Sequence, residues 1–219
     1  MSADAIVRRA LSAKGLAAGK DFEAFRRHMY PLDATFHAKQ YCFGYTDADG
    51  FHEPQSGCAI HVARCLADEE VDGVFKYHGQ ARDWLRLPQA QTLGQAIALL
   101  ETLASARGLL RRPDKRRPSL TAGTVAFIGG DDGLPLDKRT RGGPGHVLIF
   151  TGDDGETSEG GQIDEGNSGF LTAIKQKRRE VYEKRPGQWW VRDAGSTREG
   201  RLLGWYFQAG DLPCIQGER

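Results

Sequence analysis

The residues between positions 144 and 169 have the types and spacing of a group that activates a thiol. His146 opens an apolar, strand-like run, and a turn rich in Asp and Gly follows. A second run ends in Glu165 and Asn167, which are two residues apart and so share one face of a strand. With a hairpin turn near 153–156, the runs pair antiparallel, and the spacing permits a pair between His146 and Glu165. Such a carboxylate fixes the tautomer of an imidazole that acts as a general base.

A thiol partner for this imidazole is present in the first half of the chain. Cys58 begins the segment "CAIHVARCLADEE", whose apolar residues predict a helix with Ser56 as its N-cap. A helix N-terminus and a nearby imidazolium both favour the reactive thiolate. Cys65, in the same helix, stays an alternative nucleophile, and a buried core cysteine is the alternative interpretation of Cys58. A side-chain amide close to the thiol, for which Gln55 is the candidate, could assist the oxyanion.

Metals and cofactors are not predicted. The four cysteines form no Cys-x-x-Cys pair, so the spacing argues against a structural zinc site; they are Cys42, Cys58, Cys65 and Cys214.

Helical patterns come first along the chain and strand patterns follow. Residues 1–39 form a predicted N-terminal helical lead, and the strongest helical pattern covers 92–106. The later segments "GTVAFIGG", "HVLIFTG", "GQIDEG", "TAIKQKRREVY" and "RLLGWYFQ" are short runs separated by Gly-rich turns, which favours an antiparallel sheet. This order predicts an α+β fold, with residues 40–219 as the main domain.

The bulk composition excludes several classes of function. The 219 residues are 39% hydrophobic and 27% charged, as in a single globular domain. The net charge of +1 argues against a nucleic-acid partner. We predict no membrane insertion, because no apolar run approaches the roughly 20 residues of a membrane span. The N-terminal residues lack the apolar core of a signal peptide, which predicts synthesis in the cytoplasm.

Four segments, in order, resemble the CHAP branch of the papain-like amidase and peptidase superfamily. "GCAIHVARCL" resembles the helix that begins with the nucleophile, and "LTAGTVAFIGG" resembles the strand that follows it, although Thr124 stands where the family usually has Asp. "PGHVLIFTGDDG" resembles the catalytic histidine strand, and "IDEGNSG" the strand of the third residue. The resemblance implies a papain-like (CHAP-like) domain, with N-terminal helices packed on a C-terminal antiparallel β-sheet.

The same resemblance assigns roles to individual residues. Cys58 matches the nucleophile, His146 the general base and Glu165 the residue that orients the imidazole. Asn167 matches a further polar residue of that site.

The implied function is a cysteine amidase or endopeptidase that cleaves amide bonds in the peptide stem of bacterial peptidoglycan. Without a signal peptide, such an enzyme needs a delivery route into the periplasm or cell wall of a target cell. An antibacterial effector of a contact-dependent system, similar to the type VI secretion amidases, is the favoured interpretation, and it implies a cognate immunity protein. A phage-type endolysin, a catalytically inert papain-like binding module and a cysteine hydrolase or deamidase acting on a protein are the alternatives.

Overall fold

The structure is a computed structural model of the chain. It describes residues 3–17, 24–25, 45–47, 50–52, 58, 61–62, 65–66, 69–71, 74–76, 105, 108–129, 146–164 and 170–211.

Ten strands and one N-terminal helix have defined bounds. The helix α1 (Ala3–Ser12) comes first. Two small hairpins follow, formed by β1 (Tyr45–Asp47) with β2 (Gly50–His52) and by β3 (Glu69–Val71) with β4 (Val74–Lys76). The remaining strands are β5 (Thr124–Ile128), β6 (His146–Phe150), β7 (Glu156–Asp164), β8 (Phe170–Arg185), β9 (Gln188–Asp193) and β10 (Arg201–Gln208).

The six strands β5 to β10 form a closed antiparallel barrel in the order β10-β5-β6-β7-β8-β9. Closure depends on two strands that each pair with one neighbour over one part of their length and with another neighbour over the other part. The 16-residue β8 pairs with β7 along its first part and with β9 along its second. β10 pairs with β9 at Arg201 and Leu202 and with β5 from Leu203 onward, with a register shift between Leu203 and Trp205.

The predicted papain-like α+β fold, with helices packed on an open sheet, is therefore wrong. Strand patterns in a sequence indicate which segments are extended, but they do not show whether the last strand returns to the first. Here the register shift in β10 bends that strand, as irregular pairs do, and lets it complete the barrel.

Alternate residues of the barrel strands build the apolar core. Because side chains alternate along a strand, His146 shares a face with Leu148 and Phe150. That face belongs to one buried cluster from four strands and the segment before β5: Leu120, Ala126, Ile128, Leu148, Phe150, Trp189, Val191 and Leu203. The site described below therefore begins where an apolar interior ends at the first residue of β6.

The opposite face of the same strands is also buried, under the N-terminal part of the chain. Val125, Val147 and Ile149 are inaccessible to solvent, as are Ile6 and Ala10 of α1. A bridge between Ala17 and Ala173, together with a hydrogen bond from the Ile174 N–H to the Leu16 carbonyl, ties the chain after α1 to β8. No helix in the described part of the chain is long and apolar enough to cross a membrane.

A tight turn sets the register between β6 and β7. The N–H of Thr151 donates to the carbonyl of Glu156, so residues 152–155, "GDDG", make the loop. Gly155 has φ +87°, and a Cβ at this position would lie 2.1 Å from the carbonyl oxygen of Arg179. Glycine is therefore required where the turn meets β8, which carries a residue of the candidate site.

Candidate active site

The centre of the site is a short contact between a histidine and a buried carboxylate on neighbouring strands. Nε2 of His146 lies 2.6 Å from Oε2 of Glu159. The side chains of His146 and Glu159 are 15% and 5% exposed. Ile149 pairs with Ser158 and Phe150 with Thr157, and this register, continued toward the start of β6, places position 161 opposite His146. Glu159 is two residues away on the same face, which is a diagonal cross-strand position.

Glu159 is held in place from the side opposite the imidazole. Arg179 of β8 donates from Nε to Oε1 at 2.9 Å and from Nη2 to Oε2 at 2.5 Å, a two-point contact that fits the planes of both groups. The hydroxyl of Thr157 donates to Oε1 at 3.1 Å. Arg179 also makes an ion pair, through Nη1, with Asp193 of β9. Four hydrogen-bond contacts to one buried carboxylate leave it little freedom to rotate.

Cys58 is the second group that acts on the same imidazole, and its proximity raises the pKa of His146. Since Glu159 occupies Nε2, Nδ1 is the ring nitrogen that remains for the thiol. Cys58 has α-helical backbone conformation and is buried, with 3% of its surface exposed. The structure thus places a thiol beside an imidazole that hydrogen-bonds a carboxylate, which is the order of groups needed to activate a nucleophile.

The surroundings of His146 and Glu159 favour a charged pair. Burial lowers the pKa of His146, but hydrogen bonds and charge attraction from Cys58 and Glu159 outweigh it and raise that pKa from 6.5 to about 9. Burial likewise raises the pKa of Glu159, yet His146 and Arg179 together hold it far below its ordinary range. At neutral pH the His146 ring is therefore positively charged and the Glu159 carboxylate is negatively charged.

A second buried network anchors the helical segment that carries Cys58. Nε2 of His61, three residues after Cys58 in the sequence, lies 2.9 Å from Oγ of Ser158, the neighbour of Glu159 on β7. The Ser158 hydroxyl donates to the carbonyl of Ala10 and accepts from Nε2 of Gln176. A hydroxyl has one proton, so His61 must donate from Nε2. Two adjacent residues of β7 therefore hold, on opposite faces, the imidazole and the segment with the thiol.

The second described thiol lies inside this anchoring network. Sγ of Cys65 is 3.8 Å from Nε2 and 3.9 Å from Nδ1 of His61, and both residues are inaccessible to solvent. Cys65, the alternative nucleophile, therefore lies next to His61 and not next to His146.

The sequence-predicted residues fall into two groups. Cys58 and His146 are described, and the structure brings them together. Glu165, Asn167 and Gln55 lie outside the described residues, so their predicted roles stay predictions. The sequence reasoning missed Glu159 and its partner Arg179. Glu159 and Glu165 are both an even number of residues from position 161, so either fits the correct face, and only the register of the turn separates them.

A large cleft opens at the other end of the barrel. Its volume is about 1020 Å³, and its walls include Phe150, Gly155 and Arg179. It lies beside the 152–155 turn, whereas His146 is at the far end of β6, roughly 13 Å away along the strand. His146 and Cys58 do not line it. Arg179 thus extends from this cleft to the carboxylate of the site.

No group of three or more His, Cys, Asp or Glu side chains within the described ranges is placed to hold a metal ion. No protein-family model, curated protein or solved structure matches this chain.

The charged pair predicts a specific dependence of stability on pH. Because the pKa of His146 is raised by folding, its contribution is complete below pH 6.5 and is lost as pH rises through about 9. The shift corresponds to about 3 kcal/mol of unfolding free energy. The pKa of Glu159 is lowered, so its contribution is present above pH 4.5 and is lost as pH falls below that value. The ion pair therefore stabilises the folded protein most between pH 4.5 and pH 6.5.

Urea unfolding of the wild type and of His146→Gln at about pH 6 and about pH 10 measures this effect. We expect the wild type to lose more free energy than the variant over that interval, because other titrating groups affect both proteins alike. Equal losses in the two proteins would contradict the folded-state ion pair.

Proposed function

We propose that the protein is a cysteine hydrolase of amide bonds, with Cys58 as nucleophile, His146 as general base and acid, and Glu159 as the residue that orients the imidazole. The observation that carries the proposal is the 2.6 Å contact between His146 and Glu159 on a ring whose pKa the nearby Cys58 also raises. A carboxylate at one ring nitrogen and a thiol beside the ring match the order of groups in a nucleophile–base–acid series.

The reaction runs as an acyl transfer in two stages. In the resting site the proton of Cys58 is held on Nδ1 of the charged His146 ring, and the thiolate attacks the carbonyl carbon of the amide. The tetrahedral oxyanion collapses when the C–N bond breaks, and His146 gives its proton to the leaving amine. Water, losing a proton to the same ring, then cleaves the thioester, and the pair of thiolate and imidazolium is restored. Backbone N–H groups at the start of the segment that carries Cys58 are the natural oxyanion donors.

Glu159 contributes by stabilising the imidazolium that forms in each stage. A carboxylate at Nε2 fixes the ring with its other nitrogen toward the thiol. The carboxylate keeps its charge because Arg179 and the imidazole lower its pKa. Glu159 therefore acts as a permanent anion next to the ring and does not itself need to accept a proton.

The substrate that we propose is an amide bond in the peptide stem of bacterial peptidoglycan. This choice is supported by the resemblance of "PGHVLIFTGDDG" and "IDEGNSG" to the motifs of peptidoglycan amidases. An antibacterial effector, acting in the wall of a target cell and neutralised by an immunity protein in the producing cell, is the biological setting that we favour.

Digestion with two substrates tests both the reaction and its target. The protein is incubated separately with purified peptidoglycan sacculi and with denatured protein, and new termini are identified by mass spectrometry. We expect new amine and carboxylate termini in muropeptides and none in the denatured protein. Cleavage of the protein substrate alone would support a hydrolase with a different target, while intact substrates in both digests would contradict the hydrolase proposal.

A further inference from the structure

We propose that Arg179 is a positioning residue that fixes the Glu159 carboxylate against His146 and limits how strongly that carboxylate attracts the proton of the ring. The inference rests on the proposed function for its catalytic meaning, but the arrangement of charges can be measured without any substrate.

The contacts form a series of charged side chains on four neighbouring strands, from β9 through β8 and β7 to β6. Asp193 pairs with Nη1 of Arg179, whose Nε and Nη2 bind both oxygens of Glu159. Glu159 in turn binds His146, whose pKa the nearby Cys58 raises. Charges alternate along this series: acid, guanidinium, acid, imidazole, thiol.

Arg179 has two opposing consequences for the site. Its planar fork holds the carboxylate in one orientation, and a lysine could reach only one oxygen at a time. Its positive charge also partly neutralises the negative charge of Glu159, so the carboxylate attracts the imidazolium less strongly. A base that held its proton too tightly would release it poorly to the leaving amine.

Three further charged groups lie near Arg179 and Glu159, namely Asp193, Lys177 and Lys175. Asp193 also binds Lys177 Nζ, at 3.2 Å. Burial is the chief cause of the lowered pKa of Lys175, which also interacts electrostatically with Lys177, Glu159 and Asp193. Asp193 is half exposed while Arg179 is almost fully buried. Asp193 therefore attenuates the charge of Arg179, and its removal should have the opposite sign to removal of the guanidinium.

The pKa of His146, measured by NMR on histidine-labelled protein, tests the inference. The chain has six histidines, so the His146→Gln spectrum identifies the resonance. We expect Arg179→Met to raise the pKa of His146 by roughly one unit, because the carboxylate then serves the imidazole alone. Arg179→Lys keeps the charge and should leave that pKa near its wild-type value, while kcat falls about 10-fold through the loss of the fork.

A matched control and a second variant complete the test. Arg192 makes an exposed pair with Glu180 on the same two strands, so Arg192→Met should leave the pKa of His146 unchanged. If Arg179→Met does not fold, Asp193→Asn decides, with an expected fall of a few tenths of a unit.

An unchanged or lowered pKa in folded Arg179→Met overturns the inference, as does an unchanged pKa in Asp193→Asn when the methionine variant cannot be studied. These outcomes are distinct from failure of the proposed function. An inert protein with the expected shifts would refute the hydrolase, whereas an active enzyme without the shifts would refute the role of Arg179.

Discussion

Cys58→Ala should abolish amide hydrolysis while the barrel stays folded. The variant lacks the atom that forms the acyl-enzyme, and the imidazole–carboxylate pair has nothing to activate. We expect kcat/KM to fall by roughly 10⁴-fold or more. Loss of one buried sulfur should cost roughly 1 kcal/mol of unfolding free energy. Release of muropeptides by matched amounts of the two proteins, with circular dichroism to verify folding, measures the effect.

Cys65→Ala is the matched control, because it removes the same sulfur atom from a second buried cysteine, seven residues later in the sequence. Cys65 is inaccessible and contacts His61, so its loss should reduce stability slightly and leave hydrolysis near the wild-type rate. Iodoacetamide should label Cys58 much faster than Cys65 at neutral pH, and His146→Gln should abolish that advantage. Normal turnover in Cys58→Ala would refute the nucleophile. Slow, uniform labelling together with inactivity would favour the inert binding module.

Short apolar runs were the part of this fold that the sequence could predict. The segments "GTVAFIGG", "HVLIFTG" and "RLLGWYFQ" each contain a barrel strand, because buried strands leave a compact run of apolar residues bounded by Gly-rich turns. Barrel closure was not predictable in this way. It depends on β8 and β10 changing partners midway along their length, and the long, charged β8 has no apolar alternation that marks this change.

The acid of the site shows how small a difference separates a correct residue from a wrong one. The sequence interpretation centred the hairpin turn on 153–156, which brings Glu165 toward His146. The structure centres the loop one residue earlier, on 152–155, because Thr151 and Glu156 close it. A shift of the turn by one residue moves the position opposite His146 by two residues. Glu159 then takes the diagonal position next to the imidazole. Turn chemistry rather than strand pattern therefore selects the carboxylate.

Glu159→Gln should reduce kcat by roughly 10²- to 10⁴-fold. It should also lower the unfolding free energy by about 3 kcal/mol, because the buried pair with His146 loses one charge. The amide keeps the shape of the side chain and its carbonyl still accepts from Arg179, but the negative charge that stabilises the imidazolium is gone. The pKa of His146 should fall from about 9 toward its ordinary value, since one of its two supporting partners is neutralised. A pH–rate profile and the histidine NMR titration measure the two effects.

Two further amide substitutions give this experiment its resolution. Glu180→Gln neutralises an exposed carboxylate that pairs with Arg192, and it should change neither kcat nor the titration of His146. Glu165→Gln tests the acid that the sequence motif predicts. If Glu159 is the orienting residue, its variant alone shows both the loss of rate and the lowered pKa of His146. A large loss in Glu165→Gln beside a nearly normal Glu159→Gln would transfer the role to Glu165 and would make the Arg179–Glu159 pair a structural feature of the barrel.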